Sequence, residues 1–226
     1  MPLLYTIGQL TVGNTLRWGW RPKVEGLEHV PASGGAVFAG NHLSVADELF
    51  LGAVVPRHIA FWAKSEYFDG TGLSGWVSRT VMEGMGAIRV ERGGGRAALT
   101  AFDSAIPVLK DGDLVAVYPE GTRSPDGRLY RGRTGAARLA MQAGVPIIPV
   151  GMIGTDKVQP IGARVPRLGK ITVRFGKPLD LTGRSADRKS LREITDETMA
   201  EIQKLTGQEY VPRYAPPRHP TPPPAA

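Results

Sequence analysis

Ala36-Val37-Phe38-Ala39-Gly40-Asn41-His42-Leu43-Ser44-Val45-Ala46-Asp47-Glu48-Leu49-Phe50-Leu51-Gly52-Ala53-Val54 carries a strand, a loop and a helix in succession. Residues 36–40 are a short apolar run that reads as a buried strand. Ser44 and Asp47 have the S-x-x-D spacing of a capping box, which starts a helix through 48–54. His42 lies in the loop, five residues before Asp47. On one continuous helix, five steps set side chains about 140° apart. The pair therefore meets only if His42 stays in the loop and Asp47 reaches back from the first helical turn. So placed, the imidazole is a general base and the carboxylate fixes its tautomer and stabilises the imidazolium. The spacing fits equally a plain helix cap beside a loop histidine.

The same alternation continues along the chain. Strands are expected at Val24–Leu27, Ala36–Gly40, His58–Trp62, Leu114–Tyr118, Pro146–Met152 and Lys170–Phe175. Helices are expected at 47–54, 74–83, 95–110, 133–143 and 188–206, with a helical turn at Ser65–Phe68. This order predicts an α/β domain over 21–210 whose central sheet is mixed, largely parallel and covered on both faces. Residues 211–226 are nearly all Pro, Ala, Arg and Thr, a composition that cannot bury a core, and they read as a disordered tail. Residues 1–20 read as an N-terminal amphipathic helix with two apolar stripes, Val12-Leu16-Trp20 and Leu3-Ile7-Leu10. Such a helix either lies in a bilayer interface, helped by Arg17, Trp18, Arg21 and Lys23, or packs on the domain.

The composition sets bounds on function. The 226 residues suffice for one sizeable core, and the net charge of +7 favours anionic partners: phosphate-bearing molecules, an acidic membrane surface or nucleic acid. There is no cysteine, which excludes disulfides, a thiol nucleophile and cysteine-held metal. No run reaches about 18 apolar residues, so no membrane-spanning helix is expected. The N-terminus lacks the pattern of a signal peptide.

Three further segments bear on chemistry. Tyr118-Pro119-Glu120-Gly121-Thr122-Arg123-Ser124 follows an expected strand, and ligands of open α/β sheets bind beyond the carboxyl ends of strands. Gly121 allows a tight turn and Arg123 offers a fork suited to phosphate, although Ser124-Pro125-Asp126-Gly127 is also an ordinary turn sequence. Gly86-Ala87-Ile88-Arg89-Val90-Glu91-Arg92 precedes three glycines and a helix, which makes either an anion site containing Arg92 or a loop of solvated arginines. Val145-Pro146-Ile147-Ile148-Pro149-Val150 is an apolar strand whose prolines disrupt pairing, so it lines a hydrocarbon pocket or forms a core strand. Gly70–Gly75 matches G-x-G-x-x-G but does not open the first strand–helix unit, and it is set aside as a dinucleotide site. His29, His58 and His219 are scattered, and no metal site is expected.

These segments, in order and spacing, resemble the four motifs of the 1-acyl-sn-glycerol-3-phosphate acyltransferase (lysophosphatidic acid acyltransferase) family of glycerolipid acyltransferases. The motifs are N-H-x-S-x-x-D at 41–47, G-x-I-x-V-[DE]-R at 86–92, [FY]-P-E-G-T-R-S at 118–124 and V-P-I-[IV]-P-V at 145–150. Ala63-Lys64-Ser65-Glu66 and Val24-Glu25-Gly26-Leu27-Glu28 resemble two further stretches of that family. The likeness runs from about residue 20 to about residue 180. Glu91 stands where the family often has Asp, and the family's N-terminal hydrophobic hairpin is reduced here to residues 3–20.

The resemblance implies a glycerol-3-phosphate acyltransferase-like fold and a peripheral enzyme on the cytoplasmic face of the cell membrane. Its implied reaction takes an acyl group from acyl-CoA or acyl-carrier protein to the free hydroxyl of lysophosphatidic acid, giving phosphatidic acid. It assigns His42 as base and Asp47 as its orienter. It assigns Arg92, Glu120, Gly121, Thr122, Arg123 and Lys64 to the substrate phosphate, and Ser44 and Pro149 to the acyl and acceptor pocket. It implies no metal, no prosthetic group and no nucleic acid partner. Another acceptor, such as glycerol 3-phosphate, another lysophospholipid or a glycolipid, fits the same motifs. A non-catalytic basic module binding a membrane or nucleic acid is the alternative outside the class, although no nucleic-acid-binding signature accompanies the arginines.

Overall fold

A computed structural model of the protein describes residues 2–90, 95–163 and 165–216, with the backbone alone over 95–101. In chain order the strands are β1 (Lys23–Glu25), β2 (Ala36–Gly40), β3 (Ile59–Ala60), β4 (Trp62–Lys64), β5 (Ile88–Val90), β6 (Leu114–Val117), β7 (Leu129–Tyr130), β8 (Ile147–Ile153), β9 (Thr172–Phe175) and β10 (Tyr210–Val211). The helices are α1 (Leu3–Gly8), α2 (Asn14–Trp20), α3 (Ala46–Val54), α4 (Glu66–Asp69), α5 (Gly72–Gly84), α6 (Gly95–Lys110), α7 (Gly135–Ala143), α8 (Thr155–Val158) and α9 (Arg188–Thr206).

β2 is buried along its whole length and sits inside a six-stranded sheet of order β1-β9-β8-β2-β6-β3. It pairs in parallel with both β8 and β6. Only the β8–β9 pair in this sheet is antiparallel. A strand covered on both faces has no solvent side to mark with polar residues, which is why 36–40 is an unbroken apolar run. Phe38 packs with Leu16, Phe50 and Leu51, from α2 and α3. Val37 and Ala39 point the other way, into a core built from α6, α7 and α9 through Leu109, Leu139, Ile194 and Ile202. The mixed, largely parallel sheet between two helical layers is the architecture expected.

Several boundaries differ for local reasons. The strand expected at His58–Trp62 divides. β3 stays on the main sheet, with Ile59 opposite Leu114, while β4 turns away to pair with β5. The Trp62 indole donates to the Ala116 carbonyl at 2.6 Å, so a side chain takes the acceptor that a continuing strand would use. The proline-bearing strand is no edge: β8 lies between β9 and β2. The Pro149 carbonyl accepts from Gly176 N at 2.8 Å on the β9 side. A residue's N–H and C=O point the same way in a strand, so the missing donor falls where the β8–β9 ladder ends and the β2 ladder is untouched.

Residues 211–216, expected to belong to a disordered tail, are ordered. β10 pairs in parallel with β7, and Val211 and Ala215 are buried against Tyr130. Arg131 N donates to the carbonyls of Val211 and Arg213. Two apolar side chains and the edge of β7 are enough to hold this segment despite its composition. Residues 217–226 lie outside the described residues.

The N-terminal helix is continuous but changes pitch, with a π-helical Gln9–Gly13 between α1 and α2. It packs on the domain: Tyr5 and Leu16 are buried, and Gln9 Nε2 donates to the carbonyls of Gly52 and Val55. Arg17 donates to Ala53 O at 2.8 Å. These bonds satisfy carbonyls at the C-terminal end of α3 that have no intrahelical partner. Arg17 therefore serves the fold rather than a membrane surface. The Leu3-Ile7-Leu10 stripe, by contrast, is exposed, as is Trp18. No helix among the described residues is long and apolar enough to cross a membrane.

Asn41 carries the order of β2 into the loop beyond it. Its fully buried side chain donates to Met152 O at 2.9 Å and accepts from Met152 N at 2.7 Å, which extends the β2–β8 contact by one side-chain-made step. Asn41→Ala leaves both Met152 backbone groups unpaired, and each buried unpaired group costs about 1–3 kcal/mol. Chemical denaturation of the variant is expected to give a loss of about 2–6 kcal/mol for the two groups together. An unchanged unfolding free energy would show that Asn41 does not anchor the loop.

Candidate active site

The loop after β2 places His42, and the first turn of α3 places Asp47. Asp47 Oδ2 lies 2.9 Å from His42 Nδ1 and also accepts from Leu43 N at 2.7 Å and Ser44 N at 2.8 Å. An oxygen that accepts two backbone N–H groups is a carboxylate acceptor, so the group facing it on the imidazole is N–H. The network thus assigns the proton to Nδ1 and leaves the lone pair on Nε2. Among the described residues no hydrogen bond occupies Nε2, and the His42 side chain retains 15% exposure while Asp47 has none.

Ser44 completes the turn in a variant of the expected capping box. Ser44 N donates to Asp47, but its hydroxyl accepts from Ala46 N at 3.1 Å rather than from Asp47 N, and donates to Gln159 O at 2.6 Å. Ser44 is fully buried with its hydroxyl engaged on both sides, so it ties the loop to α8 and presents no surface to a ligand. Pro149 likewise lies buried within the sheet. Both were expected at the acyl and acceptor pocket; the structure shows them buried, Ser44 in the loop and Pro149 in the sheet.

The loop after β6 grips His42 by its main chain. Glu120 Oε1 accepts from His42 N at 3.1 Å, and Ser124 N donates to His42 O at 2.6 Å. The other Glu120 oxygen accepts from Tyr130 N at 2.9 Å. Both carboxylate oxygens therefore brace backbone, and Glu120 is 1% exposed. The expectation that Glu120 binds phosphate gives way to a bracing role, as a carboxylate among N–H donors has nothing to offer an anion. Burial raises its pKa to about 7, against the two N–H donors that pull it down.

Gly121 turns with φ +75°, its N–H closing on Tyr118 O at 2.9 Å. Thr122 and Arg123 follow, half-buried. Burial, with the neighbouring Asp47 charge, raises the Glu48 pKa, against the positive charge of Arg123, which lowers it. Lys64 is exposed at the end of β4, in register with Val90 of β5. That pairing sets Lys64 beside Val90; Arg92 itself lies outside the described residues.

Two participants were not singled out from the sequence. The Tyr118 ring stacks on the His42 imidazole at 3.9 Å and 13°, so the imidazole is held by an edge on Asp47 and by a face on Tyr118. Burial, with the nearby Glu48 and Asp47 charges, pushes the Tyr118 phenol well up, which keeps it neutral. Glu48 is the second carboxylate beside the base. The aromatic directly before Pro119 was a visible signal for the first, and the adjacency of Glu48 to Asp47 for the second. Among the described residues no three His, Asp or Glu side chains gather to hold a metal ion.

A protein-family model described as Acyltransferase matches residues 21–153. A chloroplastic 1-acyl-sn-glycerol-3-phosphate acyltransferase of Arabidopsis thaliana is 32% identical over 162 residues, which make up 71% of this chain and 44% of that protein. The 1-acyl-sn-glycerol-3-phosphate acyltransferase alpha of Ovis aries is 31% identical over 173 residues, or 75% and 58% of the two lengths. The crystal structure of the 1-acyl-sn-glycerophosphate (LPA) acyltransferase PlsC from Thermotoga maritima matches with a TM-score of 0.68 and 28% identity, covering 89% of this chain and 79% of that one. The chain spans less than half the length of the chloroplastic relatives it matches.

The Glu120 brace predicts a pH dependence of stability. Its pKa of about 7 lies above the ordinary 4.5, so the folded protein holds this proton where the unfolded chain has lost it. The contribution is fully present below about pH 4.5 and is lost as pH rises through about 7, a change on the order of 3 kcal/mol. Glu120→Gln imitates the protonated form. Its melting temperature should fall less between about pH 5 and about pH 8 than that of the parent protein. Equal slopes in the two proteins would rule out Glu120 as the titrating group.

Proposed function

The chain belongs to the Acyltransferase family, and from that premise we propose that it transfers a fatty acyl group from acyl-CoA or acyl-carrier protein to the free hydroxyl of lysophosphatidic acid, yielding phosphatidic acid. The observation that carries this reading is the His42 Nδ1–Asp47 Oδ2 hydrogen bond, which sets the lone pair on Nε2. Nε2 takes the proton of the acceptor hydroxyl as its oxygen attacks the thioester carbonyl carbon. The carbon–sulfur bond breaks, and the departing thiolate recovers the proton from the imidazolium. Asp47 stabilises that imidazolium while Tyr118 holds the ring plane. Transfer is direct, with no thiol-bound acyl intermediate, as suits a chain without cysteine, and it calls for no metal or prosthetic group. Gly121, Thr122, Arg123, Lys64 and Arg92 are assigned to the acceptor phosphate.

The amphiphilic substrates place the proposed enzyme at a membrane surface, on the cytoplasmic face. Two exposed apolar stripes support docking there: Leu3 and Ile7 of α1 with Leu10 of the π-helical turn, and Leu73, Trp76, Val77 and Val81 at helical spacing on α5. The two helices touch, with Leu4 set directly against Gly84. No acidic residue precedes Glu25, which favours an anionic bilayer.

Two measurements test these readings. A panel of acceptors with radiolabelled acyl-CoA should show lysophosphatidic acid as the preferred acceptor. His42→Ala should lower that rate by about 10²–10⁴ with an unchanged melting temperature, and near-normal transfer would sink the mechanism. Leu73→Ser combined with Trp76→Ser should release the protein from sedimenting vesicles of anionic phospholipid, whereas undiminished binding would exclude α5 from the docking face.

A further inference from the structure

Between β7 and α7 the chain passes Arg131, Gly132 and Arg133 back across the Tyr118–Ser124 loop. Arg133 N donates to Pro119 O at 2.7 Å, and its side chain runs directly over Gly121, where an added Cβ would stand 3.0 Å from Arg133 Nε. The glycine leaves the space that this arginine fills. The guanidinium carbon of Arg133 lies 5.0 Å from the Tyr214 ring centroid, and that of Arg131 lies 5.5 Å from the same ring. Among the described residues neither arginine forms an ion pair, while the nearby Asp126 and Glu209 are both engaged by Arg128. Two cations are thus gathered on one aromatic ring, and among the described residues neither has a carboxylate paired to it. An aromatic face attracts a guanidinium without neutralising it, so the charge stays available to an anion.

Tyr214 reaches this position because the C-terminal segment is tied down. β10 pairs with β7, and Arg131 N donates to the carbonyls of Val211 and Arg213. Tyr130 of β7 donates its N–H to Glu120, so the segment is linked through one residue to the carboxylate that holds His42. This segment lies beyond the residues matched by the family model.

We infer that Arg133, braced on Tyr214 against Gly121, is a further binding residue for the phosphate monoester of the acceptor, acting beside Arg123. Arg133 contacts the phosphate, and Tyr214 is a positioning residue that holds the guanidinium in place. The inference rests on the proposed assignment of the Gly121–Arg123 turn to the acceptor phosphate. Acyl-CoA also carries phosphate, so donor and acceptor must be separated in the test.

Steady-state kinetics of the full chain, with lysophosphatidic acid and acyl-CoA varied in turn, make that separation. Arg133→Ala should raise the KM for lysophosphatidic acid by about tenfold or more, the loss expected for a charged hydrogen bond. The KM for acyl-CoA and the melting temperature should stay close to those of the parent. Tyr214→Ala should move the same KM by a smaller factor, about two- to fivefold. Tyr214→Phe, which keeps the ring, should recover the parent value. An unchanged acceptor KM in Arg133→Ala, or a rise confined to acyl-CoA, overturns the inference while leaving the proposed reaction standing. Absence of lysophosphatidic acid turnover by the parent protein overturns both.

Discussion

One carboxylate oxygen organises this molecule's functional end. Asp47 Oδ2 accepts from the His42 imidazole and from two consecutive backbone N–H groups, those of Leu43 and Ser44. The backbone bonds close the turn that starts α3, and the imidazole bond fixes which nitrogen carries the proton. Cap and orienter are therefore a single arrangement. The five-residue spacing is what lets a side chain in the first helical turn fold back over the loop to reach all three donors.

The remaining contacts hold the loop that this oxygen shapes. Asn41 joins its start to β8, Ser44 joins its middle to the α8 region, and Glu120 and Ser124 bind both main-chain polar groups of His42. Those anchors come from the loops and ends of β6 and β8, the two strands flanking β2 in parallel. Their carboxyl ends share one edge of the sheet, where open α/β sheets place their ligands. The imidazole is thereby fixed from three strands rather than from its own loop alone. Tyr118 adds the fourth restraint, on the face of the ring.

The elements that sequence made legible are those governed by short-range pattern. The apolar run of β2, the capping spacing of Ser44 and Asp47, and the long amphipathic α9 all depend on neighbours in the chain. What was hidden depends on partners far away. Glu120 looked like a ligand-binding carboxylate because nothing local reveals that His42 N and Tyr130 N occupy both its oxygens. Arg17 looked like a membrane-facing cation because its acceptor, Ala53 O, lies 36 positions along the chain. The break between β3 and β4 depends on where the Trp62 indole finds a carbonyl, and the order of residues 211–216 on an edge of β7 that composition does not reveal. In the first helix the Leu3-Ile7-Leu10 stripe faces outward while Tyr5, assigned to neither stripe, is buried, because its contacts lie on distant elements such as His58.

Energetics separate the two readings of the His42–Asp47 pair that spacing left open. A helix cap contributes about 0.5–2 kcal/mol, and a surface Ser or Asp supplies it without burying a charge. Asp47 is instead completely buried, with Oδ1 lacking a partner among the described residues. An unpaired buried acceptor costs about 1–3 kcal/mol, more when charged, which consumes most of what the cap contributes. Glu120 adds a second buried carboxylate within one hydrogen bond of the same histidine, and the Tyr118 hydroxyl is buried without a partner among the described residues. Folding alone does not account for so much polar burial around one imidazole. Such departures from local rules concentrate at functional sites, where the stability given up serves another purpose. The proposed reaction is a use that repays it: a His42 base held by tautomer, edge and face would meet the acceptor with its Nε2 lone pair already oriented.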